Sequence, residues 1–131
     1  GASLAAQLGL GFAFAGHHFQ NPDSNPLTEK QVLTGLAFVA YCMHLWGMPI
    51  NEDTLFTHYE AWTIHKVKGT QNHLKTDITV LTFKPELGKD EVGPWLRKTA
   101  QAYLSHIERL VTCTCPNDIC CPRGCHVPPV A

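Results

Sequence analysis

Five of the chain's six cysteines, Cys113, Cys115, Cys120, Cys121 and Cys125, fall within thirteen residues near its end, in C-T-C-P-N-D-I-C-C-P-R-G-C-H. No apolar period runs through this segment. It therefore cannot bury enough surface to offset the entropy of ordering itself, and must be held by cross-links, a metal or another surface. Five thiols and His126 at such close spacing suit zinc or an iron–sulfur centre, with Pro and Gly supplying tight turns around the ion. A small disulfide knot is the competing reading, favoured if the protein leaves the cytoplasm. An odd number of thiols then leaves one unpaired unless it finds Cys42 or a partner chain. Either way, residues 111–131 read as an anchoring or assembly device, outside a domain spanning 1–110.

A chain of 131 residues is about one domain. Its 44% apolar and 16% charged content suits a globular fold. A net charge of −1 leaves no electrostatic footprint for nucleic acid, which is set aside as a partner. Gly1 in place of Met suggests a processed product or an excised piece. The uncharged run GASLAAQLGLGFAFAG has no basic flank, and its sixteen residues fall short of the roughly 20 that span a bilayer. No membrane span is expected. Its second half, LGLGFAFAG, reads as a buried strand.

The connection GHHFQNPDSNP is dense in turn formers. Thr28 then opens TEKQVLTGLAFVAYCMHLWG, where Thr28 and Gln31 form a capping-box signature. Leu33, Leu36, Ala37, Ala40 and Tyr41 follow at helical spacing, with Cys42 read as a buried thiol. Gly47 is a natural C-cap and Pro49 blocks continuation. A short strand is expected at Leu55 to Thr57, and a strand or extended segment at ITVLTF, residues 78–83. Pro94 fits the first turn of a last helix, with Leu96, Ala100, Tyr103, Leu104, Ile107 and Leu110 on one face.

Two short elements carry candidate chemistry. LFTHYEA delivers His58 at the end of an apolar run, and HLKTDI brings Asp77 nineteen residues later, with Lys75 two positions before it. A histidine at a strand end and an aspartate on a following loop are suited to share a zinc ion, leaving a coordination position for water. A lysine two residues before that aspartate is placed to stabilise a tetrahedral oxyanion. The plain alternative is that His58 is a capping or hydrogen-bonding residue and that K-T-D is incidental.

The order of elements resembles the zinc-dependent N-acetylmuramoyl-L-alanine amidases of type 2, a fold shared with peptidoglycan recognition proteins and some phage lysozymes. The resemblance runs from LGLGFAFAG through NPLTEKQ, GMPI, LFTHYEA and LKTDI to the final helix, about residues 8–108. It implies an α/β fold with a mixed central sheet flanked by helices. Thr57-His58-Tyr59-Glu60 matches the element that supplies a zinc histidine, and Lys75-Thr76-Asp77 the one that supplies a zinc aspartate and an oxyanion lysine. Tyr59 and Glu60 would support the fold or orient His58.

The resemblance has departures. The family carries another zinc histidine on an earlier strand, with a Glu or Tyr that handles protons, and this chain starts too late to hold that part of the fold. His17 and His18 fall in the loop after the strand, where no ligand role is carried over. The loop between His58 and Asp77 is longer than in compact members. Another chain or cleaved fragment completes the site, a local histidine substitutes, or the site is degenerate. The first expectation is a zinc hydrolase that cuts the amide joining N-acetylmuramic acid to L-alanine, working outside the cytoplasm or in a phage particle. The second is a non-catalytic peptidoglycan-binding or structural module, and the third an assembly protein scaffolded by metal in its tail.

Overall fold

The computed structural model describes residues 10–14, 26–66, 78–115, 121 and 124–129. Among the described residues the elements are three helices: α1 (Glu29–Trp46), α2 (His58–Thr63) and α3 (Val92–Thr112). No helix among them is long and apolar enough to cross a membrane.

Local chemistry sets the ends of α1. Thr28 stands in extended backbone before the helix and its hydroxyl accepts from the Gln31 N–H, while the Gln31 side chain accepts from the Thr28 N–H. Two of the amides that a helix start leaves orphaned are thereby satisfied. Gly47 ends the helix in the left-handed region at φ 64°, and its N–H returns to the His44 carbonyl. Both ends match the sequence expectation. The buried face is offset from the expected one: Val32, Gly35, Leu36, Ala40 and Met43 point inward, whereas Tyr41 is exposed and Cys42 only half-buried. Cys42 sits on the flank of the stripe beside Met43, so the core-thiol expectation is corrected.

Helix α3 begins at Val92 and places Pro94 in its first turn, where a missing N–H costs no hydrogen bond. It packs on α1, and Val32 and Leu36 meet Val92, Leu96 and Ala100 in a core completed by Leu27 and Leu81. Burying each of these Leu and Val side chains contributes about 1.5–3 kcal/mol.

The expected central sheet is absent from the described residues, which contain no strand. Residues 10–14 of the first expected strand are irregular. Phe12 and Phe14 spend their apolar surface on α1 instead: their rings meet edge to face at 5.2 Å, and Phe12 lies 5.9 Å from Phe38. Gly35 makes room for this, since a Cβ there would collide with the Phe14 ring. At Leu55 to Thr57 the chain stays out of a ladder, because Thr57 is committed to capping α2. Residues 78–83 form turns, with Lys84 N–H bonded to Leu81 O, and bury Leu81 in the helical core. A β-rich composition yields a strand only where a partner strand accepts its hydrogen bonds, and these segments are satisfied by side-chain packing.

Candidate metal centre

The site starts where α3 stops. Cys113 caps the helix in extended backbone, φ −74° and ψ 128°, with its N–H on the Leu110 carbonyl. Alternate residues of an extended segment face the same way, so Cys113 and Cys115 share a side while Thr114 points to solvent. The second half of the site is a turn. Gly124 adopts φ 64°, which glycine reaches without a Cβ penalty, and its N–H bonds back to Cys121 O at 3.2 Å. The Val127 N–H closes on Gly124 O at 3.1 Å. These bonds fold Cys125 and His126 back towards Cys121.

Three donors meet as a result. Cys113 Sγ lies 3.6 Å from Cys121 Sγ and 3.6 Å from His126 Nε2. The three ligand atoms are all within 4.8 Å of one another, placing Cys113, Cys121 and His126 to hold a metal ion. A tetrahedral ion with metal–sulfur bonds of about 2.3 Å separates two sulfurs by about 3.8 Å, and a sulfur and a nitrogen by about 3.6 Å. The observed spacings suit that geometry.

Two more thiols respond to Cys113 and Cys121. The pKa of Cys115 is pushed up to about 11, first by interaction with Cys121 and then by burial and Cys113. Cys125 is fully buried; burial first, then contacts with Cys121 and Cys113, push its thiol to about 11 as well. Crowded thiols resist ionising together, and a cation among them removes that resistance. None of the five described cysteines is in a disulfide, and Cys120 lies outside the described residues.

His106, on α3, was not singled out in the sequence. Its Nδ1 is buried without a hydrogen-bond partner among the described residues, and burial, then Arg109, then His126 lower its pKa. The 3.6 Å contact of His126 with Cys113 places this part of the tail beside the end of α3.

The other expected ligand set is only partly within view. His58 is the first residue of α2 and is exposed, while Lys75 and Asp77 lie outside the described residues. The neighbours of His58 have structural partners. Thr57 and Glu60 form a second capping box, with the Thr57 hydroxyl accepting from Glu60 N–H at 3.2 Å. The Tyr59 hydroxyl donates to Asp90 at 2.8 Å, a bond that, with burial and the charge of Asp90, raises its pKa. Glu60 is 5% exposed and accepts from Arg97. Sequence reasoning missed Arg97; its signal is a cation inside the apolar stripe between Leu96 and Ala100.

No protein-family profile, curated protein or solved structure matches the chain.

Proposed function

We propose that the chain is a zinc-binding helical module in which the C-terminal tail is folded onto the end of α3 by one structural zinc ion. The observation that carries this reading is the meeting of Cys113, Cys121 and His126 within 4.8 Å. Thiolate and imidazole donors suit zinc and disfavour hard cations, and an imidazole among thiols favours zinc over an all-cysteine iron–sulfur cluster. A segment without its own apolar core gains its folding free energy from the metal. The test is metal analysis of the chain purified under reducing conditions. One zinc per chain is expected, lost in Cys113→Ser and in His126→Ala. A metal-free protein with its tail thiols paired as disulfides sinks the reading.

A second reading concerns peptidoglycan, and one observation favours it. His58 is exposed at the start of a helix whose neighbouring side chains, Thr57, Tyr59 and Glu60, are all tied elsewhere, which gives the imidazole a fixed platform. On this reading His58 and Asp77, with a further ligand, hold a second zinc, which supplies Lewis-acid chemistry. Lys75 stabilises the oxyanion as the amide between N-acetylmuramic acid and L-alanine is cut, at the cell wall or from a phage particle. The support is the order of the motifs and the setting of His58, not a sheet. A retained site without turnover would instead bind peptidoglycan. Two zinc ions per chain, falling to one in His58→Ala, and new L-alanine amino termini from purified cell wall are the expected results. Zinc content unchanged by His58→Ala defeats this reading and leaves the tail centre standing.

A further inference from the structure

The two sulfurs of the centre stand close enough to react with each other. Cys113 Sγ and Cys121 Sγ are 3.6 Å apart, on residues eight positions from one another in sequence. Zinc holds two thiolates about 3.8 Å apart, so loading the ion leaves the pair near this spacing. A sulfur–sulfur bond is about 2.05 Å long, and closing the gap takes a shift of about 1.5 Å shared between two side chains. That shift leaves the helical core alone: Cys113 follows the last turn of α3 in extended backbone, and the core cluster contains no tail residue. Both thiols are half-buried, within reach of a small oxidant, whereas Cys125 is fully buried. Joining the two sulfurs takes away two of the three donors and leaves the His126 imidazole alone.

We propose that Cys113 and Cys121 are a redox pair that governs the zinc: hydrogen peroxide joins them as a disulfide and the ion is expelled. This rests on the zinc reading above. The Cys113 thiolate attacks one peroxide oxygen, the O–O bond breaks, and the sulfur becomes a sulfenic acid as hydroxide leaves. The Cys121 thiolate then attacks that sulfur, the S–S bond forms, the S–O bond breaks, and a second hydroxide leaves. Two protons convert the hydroxides to water. The two sulfurs together lose two electrons, and one hydrogen peroxide gains them. Thiolates ligate zinc and a disulfide does not, so the ion departs from a lone imidazole. A dithiol returns the two electrons by thiol–disulfide exchange, and zinc rebinds as the restored thiols lose their protons.

The experiment takes the full chain, reduced, zinc-loaded and freed of reductant, and adds one equivalent of hydrogen peroxide. A chromogenic indicator reads zinc release, and peptide mass mapping reads the disulfide. About one zinc per chain is expected to leave, with Cys113 and Cys121 joined to each other and a dithiol restoring both thiols and the zinc. Cys42→Ser, changed on α1 outside the centre, is expected to release zinc as wild type does. Zinc that stays bound once the peroxide is consumed refutes the proposal. Release with either cysteine linked to a different thiol, release without a disulfide, or a Cys42→Ser chain that keeps its zinc refutes it too. A reduced wild-type chain without zinc overturns the parent reading instead, so the two failures are told apart.

Discussion

Arg97 meets Glu60 fork to fork: Nη1 donates to Oε1 and Nη2 to Oε2, each at 2.8 Å. The residues are 37 positions apart, and the pair ties α2 to α3. Nη1 also donates to Leu55 O at 3.1 Å, so one side chain fixes both α2 and the loop entering it. Separating a buried pair leaves a desolvated charge without its partner, which costs more than the pair contributes. Arg97→Met should therefore destabilise the chain by about 3–5 kcal/mol. The double variant Glu60→Leu with Arg97→Met should cost less than Arg97→Met alone. Urea midpoints of the three proteins measure this, and a double variant worse than the single one contradicts it.

The same pair sets an acid limit. Burial, the largest single influence on Glu60, would raise its pKa, but the Arg97 hydrogen bond, the Thr57 contacts and the Arg97 charge together bring it below its usual 4.5. A carboxyl with a lowered folded pKa releases its proton more readily in the folded than in the unfolded state. Its contribution is complete above pH 4.5 and is lost as pH falls through the folded value. Thermal unfolding between pH 6 and pH 3 should show a falling acid limb, shallower in Glu60→Gln than in wild type. Parallel limbs would show that other carboxyls govern the acid response.

Glycine 93 leaves room for that carboxylate. A Cβ at Gly93 would run into the Glu60 carboxyl group, which is fixed by Arg97 and Thr57 and has little freedom to give way. Gly93→Ala should therefore destabilise by about 1–3 kcal/mol, although alanine is the better helix former by about 1 kcal/mol. Chemical denaturation checks the sign. In a Glu60→Ala background the same substitution should turn neutral or stabilising, which isolates the collision from the helix preference.

The legible parts of the sequence were those where cause and effect lie within four residues. Thr28 with Gln31, and Gly47 after the last turn, announced both ends of α1 because capping is local chemistry. Thr57-His58-Tyr59-Glu60 was ambiguous because T-x-x-E is also a capping box, and the structure gives Thr57 and Glu60 that role. Arg97 escaped notice because its partner is remote in sequence. The expected strands at 55–57 and 78–83 failed because apolar, β-branched residues can fill a helical core as well as a ladder. In the tail, the donor types were readable from composition. Which donors meet depends on the direction the chain takes at Gly124, and spacing alone does not give that.

That turn can be tested directly. Gly124 sits at φ 64° with its N–H on Cys121 O, and residues with a Cβ pay about 1–2 kcal/mol to occupy this region. The nearest neighbour of an added Cβ is Val127 Cγ2 at 3.8 Å, so the penalty is one of backbone and not of crowding. Gly124→Ala should weaken zinc binding about 10-fold, the equivalent of about 1.4 kcal/mol. Competition with a chromogenic chelator reads that shift, and an unchanged affinity would mean that the turn is not needed to assemble the site.

Removing the metal should separate the two halves of the chain. The core of Leu27, Val32, Leu36, Leu81, Val92, Leu96 and Ala100 lies wholly in the helical part and includes no tail residue. The described tail residues form no comparable cluster, and the buried Cys125 belongs to the thiol group itself. Chelation under reducing conditions should therefore leave far-UV circular dichroism nearly unchanged while Cys113, Cys115, Cys121 and Cys125 become reactive to a thiol reagent. Limited proteolysis should then cut after the end of α3 and spare the helices, and added zinc should restore protection. Loss of helical signal along with the metal would show that the ion supports the whole fold.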